Sequence, residues 1–206
     1  MTQNAFYFDP TRCTGCKTCQ LACKDYKDLG PDYTIRRVYD YEGGSFTEGE
    51  NGTWTKDSYV YHVSTSCQHC DNPACTEVCP TGAMAKDPET GIVSVDTEVC
   101  IGCGSCQASC PYGAPHVDPD LGYSVKCDGC ADRVVEGKLP ICVEACLMRC
   151  LEFGDAAEIA EKGERAAIAP LPDPAGTTPN FFIKASDCTK PFDDTTGHVA
   201  NPLEVA

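Results

Sequence analysis

Segments with a regular apolar pattern are short in this chain and are separated by stretches that have none. Tyr59-Val60-Tyr61-His62-Val63 alternates with the period of a strand covered on one face. Gly91-Ile92-Val93-Ser94-Val95-Asp96 and Phe181-Phe182-Ile183 are further strand candidates, and residues 155–165 read as a helix. Gly43-Gly44 and Asn51-Gly52 are turn signals that break residues 24–66 into hairpins. Beyond 165, a Pro-rich stretch and an irregular end hold too little apolar content for a core of their own. That leaves a solvated terminus or, the better reading, an arm that lies on a partner. No apolar run approaches the roughly 20 residues of a membrane-spanning helix, and the first residues match no signal peptide.

Cysteine changes this picture. The 206 residues include 18 cysteines, and all but Cys150 and Cys188 fall into four groups: Cys13, Cys16, Cys19, Cys23; Cys67, Cys70, Cys75, Cys79; Cys100, Cys103, Cys106, Cys110; and Cys127, Cys130, Cys142, Cys146. The first and third groups read C-x2-C-x2-C-x3-C, the second C-x2-C-x4-C-x3-C and the fourth C-x2-C-x11-C-x3-C, an internal repeat. The last two cysteines of each group are four residues apart and so share a helix face, which predicts a short helix starting near the third. A cubane iron-sulfur cluster takes four thiolates, three from one such loop and the fourth from elsewhere; in two-cluster ferredoxins the fourth cysteine, followed by proline, serves the other cluster. Cys79-Pro80 and Cys110-Pro111 reproduce that ending, whereas Lys24 and Leu147 follow the fourth cysteine in the other two groups. Gly15, Gly102 and Gly129 each precede the second cysteine, where a residue without Cβ lets backbone amides approach the cluster and tolerates positive φ. Zinc ribbons also use C-x2-C pairs, but closely spaced triplets suit clusters better than zinc or disulfides.

Spacing pairs groups two and three as one ferredoxin-like unit, and groups one and four then pair by elimination. The expected fold is α+β and loop-rich, with two ferredoxin-like modules related by a pseudo-two-fold axis. Residues 1–24 with 122–154 form one module and 67–121 the other; 25–66 are the hairpin insert, and 155–206 a helix and an extended partner-binding tail.

Charge narrows the partners. Lys and Arg number 16 against 31 Asp and Glu, a formal −15, so no basic footprint for nucleic acid exists. The four histidines read as surface or loop residues, with His69 inside Cys67-Gln68-His69-Cys70 more a packing residue than one that tunes a cluster. Cys150 reads as a buried structural thiol, Cys188 has no assigned role, and Trp54 with the insert's tyrosines reads as packing. No nucleophile with its base, nucleotide loop or pterin site is visible. Clusters fully ligated by protein leave one-electron transfer as the available chemistry, with no direct small-molecule substrate.

The segments TRCTGCKTCQLACKDYKDL, CQHCDNPACTEVCPTGAM, CIGCGSCQASCPYGAPHVD, KCDGCADRVVEGKLPICVEAC and TTGHVANPLEV resemble the iron-sulfur B subunits of anaerobic dimethyl sulfoxide reductases, insert and tail included. That resemblance implies four [4Fe-4S] clusters lying between a molybdopterin catalytic subunit and an integral membrane anchor that oxidises menaquinol. It implies membrane association through these partners and export, if any, with the catalytic subunit. It also implies crossed ligand sets: Cys13, Cys16 and Cys19 with Cys146; Cys127, Cys130 and Cys142 with Cys23; Cys67, Cys70 and Cys75 with Cys110; Cys100, Cys103 and Cys106 with Cys79. Relatives with Trp at the position matching Cys103 hold a three-iron cluster there; cysteine in this chain favours four cubanes. The equivalent subunit of a complex handling formate, thiosulfate, polysulfide or tetrathionate is the alternative, and a zinc-stabilised structural module the competing class.

Overall fold

Ala5-Phe6-Tyr7-Phe8 is apolar at every position because the strand it forms, β1 (Asn4–Phe8), is covered on both faces. In the computed structural model, which describes residues 2–205, Phe6 and Phe8 enter the main core, while Ala5 and Tyr7 join a smaller cluster with Ile159 and Phe182. Met1 and Ala206, the outer limits of the first module and of the tail, lie outside the described residues.

After β1 come α1 (Thr18–Tyr26), β2 (Arg37–Gly43), β3 (Phe46–Glu48), β4 (Trp54–Lys56) and β5 (Tyr59–Thr65). The middle of the sequence repeats a helix followed by a hairpin: α2 (Ala74–Glu77) with β6 (Met84–Lys86) and β7 (Val93–Val95), then α3 (Ser105–Ser109) with β8 (His116–Asp118) and β9 (Tyr123–Val125). There follow α4 (Ala131–Val135), α5 (Ile141–Glu144), β10 (Leu151–Asp155), α6 (Ala156–Ala160), β11 (Glu164–Arg165), β12 (Phe181–Ile183) and β13 (Gly197–Val199). These short helices and small sheets, joined by long loops, make an α+β ferredoxin-like architecture.

One sheet has the order β10-β1-β12-β11, with β1 antiparallel to β10 and parallel to β12. A second has the order β13-β2-β5, in which Tyr41 faces Tyr61 across the pair, both buried.

Two expectations change, and a third segment takes a definite place. Residues 155–165 are helical only to Ala160: Asp155 caps α6 by accepting from Ala157 N (2.8 Å), but Glu164–Arg165 leave to pair with β12. The segment expected as a partner-binding tail is anchored to the body of the protein at two places, while most of its residues between 184 and 204 stay exposed or half-buried. Phe181, Phe182 and Ile183 are buried beside β1, and β13 extends the sheet of β2, so the segment lacks a core of its own because it completes one begun at the opposite end of the sequence. Trp54, expected to pack, is 62% exposed on β4.

Candidate functional site

In all four groups a helix begins one residue before the third cysteine: Thr18 before Cys19, Ala74 before Cys75, Ser105 before Cys106 and Ile141 before Cys142. The residue before the second cysteine has positive φ in every group, +63° at Gly15, +63° at Gly102, +67° at Gly129 and +43° at His69. At Gly102 a Cβ would also stand 2.5 Å from the Gly122 carbonyl oxygen.

The α2 and α3 helices pack together and divide their cysteines between two cavities. Cys79, Cys100, Cys103 and Cys106 surround one, with about 340 Å³ of empty space. Met84 N donates to Cys79 Sγ and Ser124 N to Cys100 Sγ, each at 3.4 Å, and Ser105 Oγ lies 3.4 Å from Cys103 Sγ. Cys67, Cys70, Cys75 and Cys110 surround the other, with about 370 Å³.

A second helix pair, α1 with α5, brings the remaining groups together. Cys23 interacts electrostatically with Cys127, Cys142 and Cys130, whereas Cys19, one turn earlier, interacts with Cys13 and Cys146. The two left-over cysteines lie at the margins. Cys150 is buried with its Sγ 3.4 Å from Cys146 Sγ and interacts with Cys13, and Cys188 Sγ is 3.2 Å from Ser186 Oγ.

Burial opposes ionisation of the inner thiols, and neighbouring thiolates add to it: Cys75 is pushed up to about 12, and Cys70 and Cys130 to about 11. Hydrogen bonds act the other way at the solvent-facing thiols, lowering Cys16 through Thr18, Cys79 through the Met84 amide and Cys103 through Ser105. Thiols forced together in low dielectric are relieved by binding a cationic iron core as thiolates. The four cysteines at each of the two cavities stand around a space, and among the described residues no three His, Cys, Asp or Glu side chains converge as a single-ion site. The arrangement fits a polynuclear cluster, not zinc with its Zn–S bonds of about 2.3 Å.

Buried polar side chains separate the sets. Arg36 and His69 are each only 1% exposed. His69 is therefore no surface histidine: its Nδ1 accepts from Val93 N (3.0 Å), and its ring faces Cys127. Lys126 Nζ lies 3.5 Å from Cys67 Sγ and donates to the carbonyls of Cys127 (2.7 Å) and Val93. Lys126 and Arg36 were not legible in the sequence as parts of the site; the place of Lys126 immediately before Cys127 was the one available signal, and Arg36 had none.

Comparison with known proteins agrees with this geometry. Residues 58–156 match the model of a 4Fe-4S dicluster domain and residues 10–28 that of a 4Fe-4S binding domain. The protein is 55% identical over 205 residues to the B subunit of anaerobic dimethyl sulfoxide reductase of Escherichia coli and to that organism's YnfG, a probable anaerobic dimethyl sulfoxide reductase subunit, each comparison covering 99% of both sequences. It is 50% identical over 206 residues to the B subunit of anaerobic dimethyl sulfoxide reductase of Haemophilus influenzae, covering all of both sequences. The thiosulfate reductase electron transfer subunit PhsB of Salmonella typhi is 38% identical over 153 residues, 74% of this protein and 76% of that one. With this identity along its full length, the protein belongs to the family of anaerobic dimethyl sulfoxide reductase B subunits and is a 4Fe-4S protein.

Proposed function

We propose that the protein relays electrons one at a time through four [4Fe-4S] clusters, as the electron-transfer subunit of a dimethyl sulfoxide reductase-type complex. The ligand sets are Cys100, Cys103, Cys106 with Cys79; Cys67, Cys70, Cys75 with Cys110; Cys127, Cys130, Cys142 with Cys23; and Cys13, Cys16, Cys19 with Cys146. The observation that carries this reading is the division of cysteines by each helix pair: positions one turn apart serve neighbouring sets, so each pair builds two clusters side by side. Residues 67–121 form one module and 1–24 with 122–154 the other, related by a pseudo-two-fold axis, with 25–66 inserted. His69 and Lys126 reach from the Cys67 set to Cys127 and so join the modules, giving the line Cys103, Cys67, Cys127, Cys13.

Exposure supports a relay. Cys103 and Cys16, in the two outer sets, are the exposed cysteines, while every cysteine of the Cys127 set is buried. The ends are where electrons enter and leave. No helix among the described residues is long and apolar enough to cross a membrane, and the reading assigns that role to an integral anchor that oxidises quinol. A molybdopterin subunit at the other end carries out the reduction. Higher identity to the dimethyl sulfoxide reductase subunits than to the thiosulfate reductase subunit favours that complex over its relatives.

Native pull-down from anaerobic membranes tests the assignment. A large molybdenum subunit and an integral membrane protein are expected together with this protein. A monomeric carrier reducible by many enzymes would replace the dedicated subunit with a free polyferredoxin.

A further inference from the structure

Arg36 is a fully buried cation that no carboxylate pairs with among the described residues. Its guanidinium donates through Nη1 to Ser64 O (3.3 Å) and Ser64 Oγ (3.1 Å) and through Nη2 to Ser66 Oγ (3.0 Å), all neutral acceptors. Nε has no partner, and the Phe6 ring covers one face with its centroid 4.9 Å away. A buried charge needs a counter-charge, because desolvation otherwise outweighs what neutral hydrogen bonds return. The negative groups that act on Arg36 most strongly are Cys142, Cys19, Cys127 and Cys23. Three belong to the Cys127 set and one, Cys19, to the Cys13 set. Of these thiols Cys142 acts on Arg36 most strongly, and Ser64 Oγ, which accepts from Nη1, lies 3.3 Å from Cys19 Sγ.

We propose that Arg36 is the shared counter-cation of the two clusters held by the Cys13 and Cys127 sets, and that it raises the reduction potential of both. The proposal rests on the four-cluster reading above. A [4Fe-4S] cluster with its four thiolates carries about −2 at its usual oxidised level, and reduction adds one electron, supplied by the neighbouring cluster, with no proton required. Two such anions on adjacent helix turns repel each other, and each electron increases that repulsion. A fixed cation between them lowers the cost of an electron on either one, so electrons move through the pair without one member becoming a barrier. A guanidinium suits this place because it keeps its charge when buried and its planar fork is held by Ser64 and Ser66. In the other module the cations are different ones: Lys126 approaches Cys67 from the side of Cys127, and Arg37 acts on Cys110.

The test is an EPR-monitored redox titration of the assembled complex in anaerobic membranes, with iron and sulfide assayed on the same protein after purification. For Arg36→Gln with wild-type iron content, two of the four cluster signals are expected to move to more negative potential while the other two hold. Full iron content with all four potentials unchanged, or with all four moved equally, overturns the proposal. If Arg36→Gln loses clusters, Arg36→Lys decides: loading restored with wild-type potentials supports the counter-cation, and loss in both variants overturns it in favour of a packing role. Wild-type protein without iron and sulfide would reject the cluster reading itself, a result separate from any effect of Arg36.

Discussion

His69 sits in the loop of the second cysteine group, yet its imidazole faces Cys127 of the fourth. Because Nδ1 accepts the Val93 amide proton, the neutral ring carries its own proton on Nε2, which has no hydrogen-bond partner among the described residues and is left to donate to the thiolate of Cys127. A hydrogen bond to a ligand thiolate stabilises the reduced, more negative cluster.

His69→Leu removes that donor. One hydrogen bond is worth about 1 kcal/mol, roughly 40 mV for a one-electron couple. One cluster potential should therefore fall by tens of millivolts in a redox titration while iron content holds. An unchanged set of potentials would leave His69 as a packing residue, as its sequence context suggested.

On the four-cluster reading, Cys103→Ser removes one ligand from an end set whose Cys103 is exposed. A cubane that loses a single thiolate commonly sheds the unsupported iron, so a three-iron EPR signal should appear in the oxidised protein. A spectrum identical to wild type would mean that Cys103 binds no cluster.

Gly102 and Gly104 both have positive φ, but only at Gly102 does a Cβ collide with backbone, 2.5 Å from Gly122 O, while Gly104 has open space. Both alanine variants carry the left-handed cost of roughly 1–2 kcal/mol; Gly102→Ala adds the collision. Iron assay should find the Cys100 set deficient in Gly102→Ala and near complete in Gly104→Ala. Equal iron content in the two would show that the loop tolerates a shift away from Gly122.

Asn201 ties the last segment to β2, donating through Nδ2 to Val38 O (2.9 Å) and accepting from Asp40 N (2.8 Å). Losing both bonds in Asn201→Ala costs roughly 2 kcal/mol. Hydrogen exchange should then speed up at Asp40 and across Gly197–Val199, with the signals of all clusters retained. Unchanged protection would mean that β13 holds the segment without Asn201.

What the sequence made legible was local. The x3 spacing gave each helix its start, and glycine before the second cysteine anticipated positive φ, because one turn of backbone decides both. His69 adopts the same backbone region without glycine, so the pattern was broader than the residue type. The missed features depend on distant segments meeting. Phe181-Phe182-Ile183 was legible as a strand but not as the parallel neighbour of β1, since nothing local encodes that register. Arg36 looks like any surface arginine until Ser64, Ser66 and the thiols close around it.

Metal and sulfide analysis of the anaerobically purified protein, in one preparation, bears most directly on the four-cluster reading. Sixteen grouped cysteines at four per cubane call for about sixteen irons and about sixteen acid-labile sulfides per polypeptide, with zinc far below stoichiometric. Stoichiometric zinc with little sulfide would contradict that reading and make the cysteine sets structural.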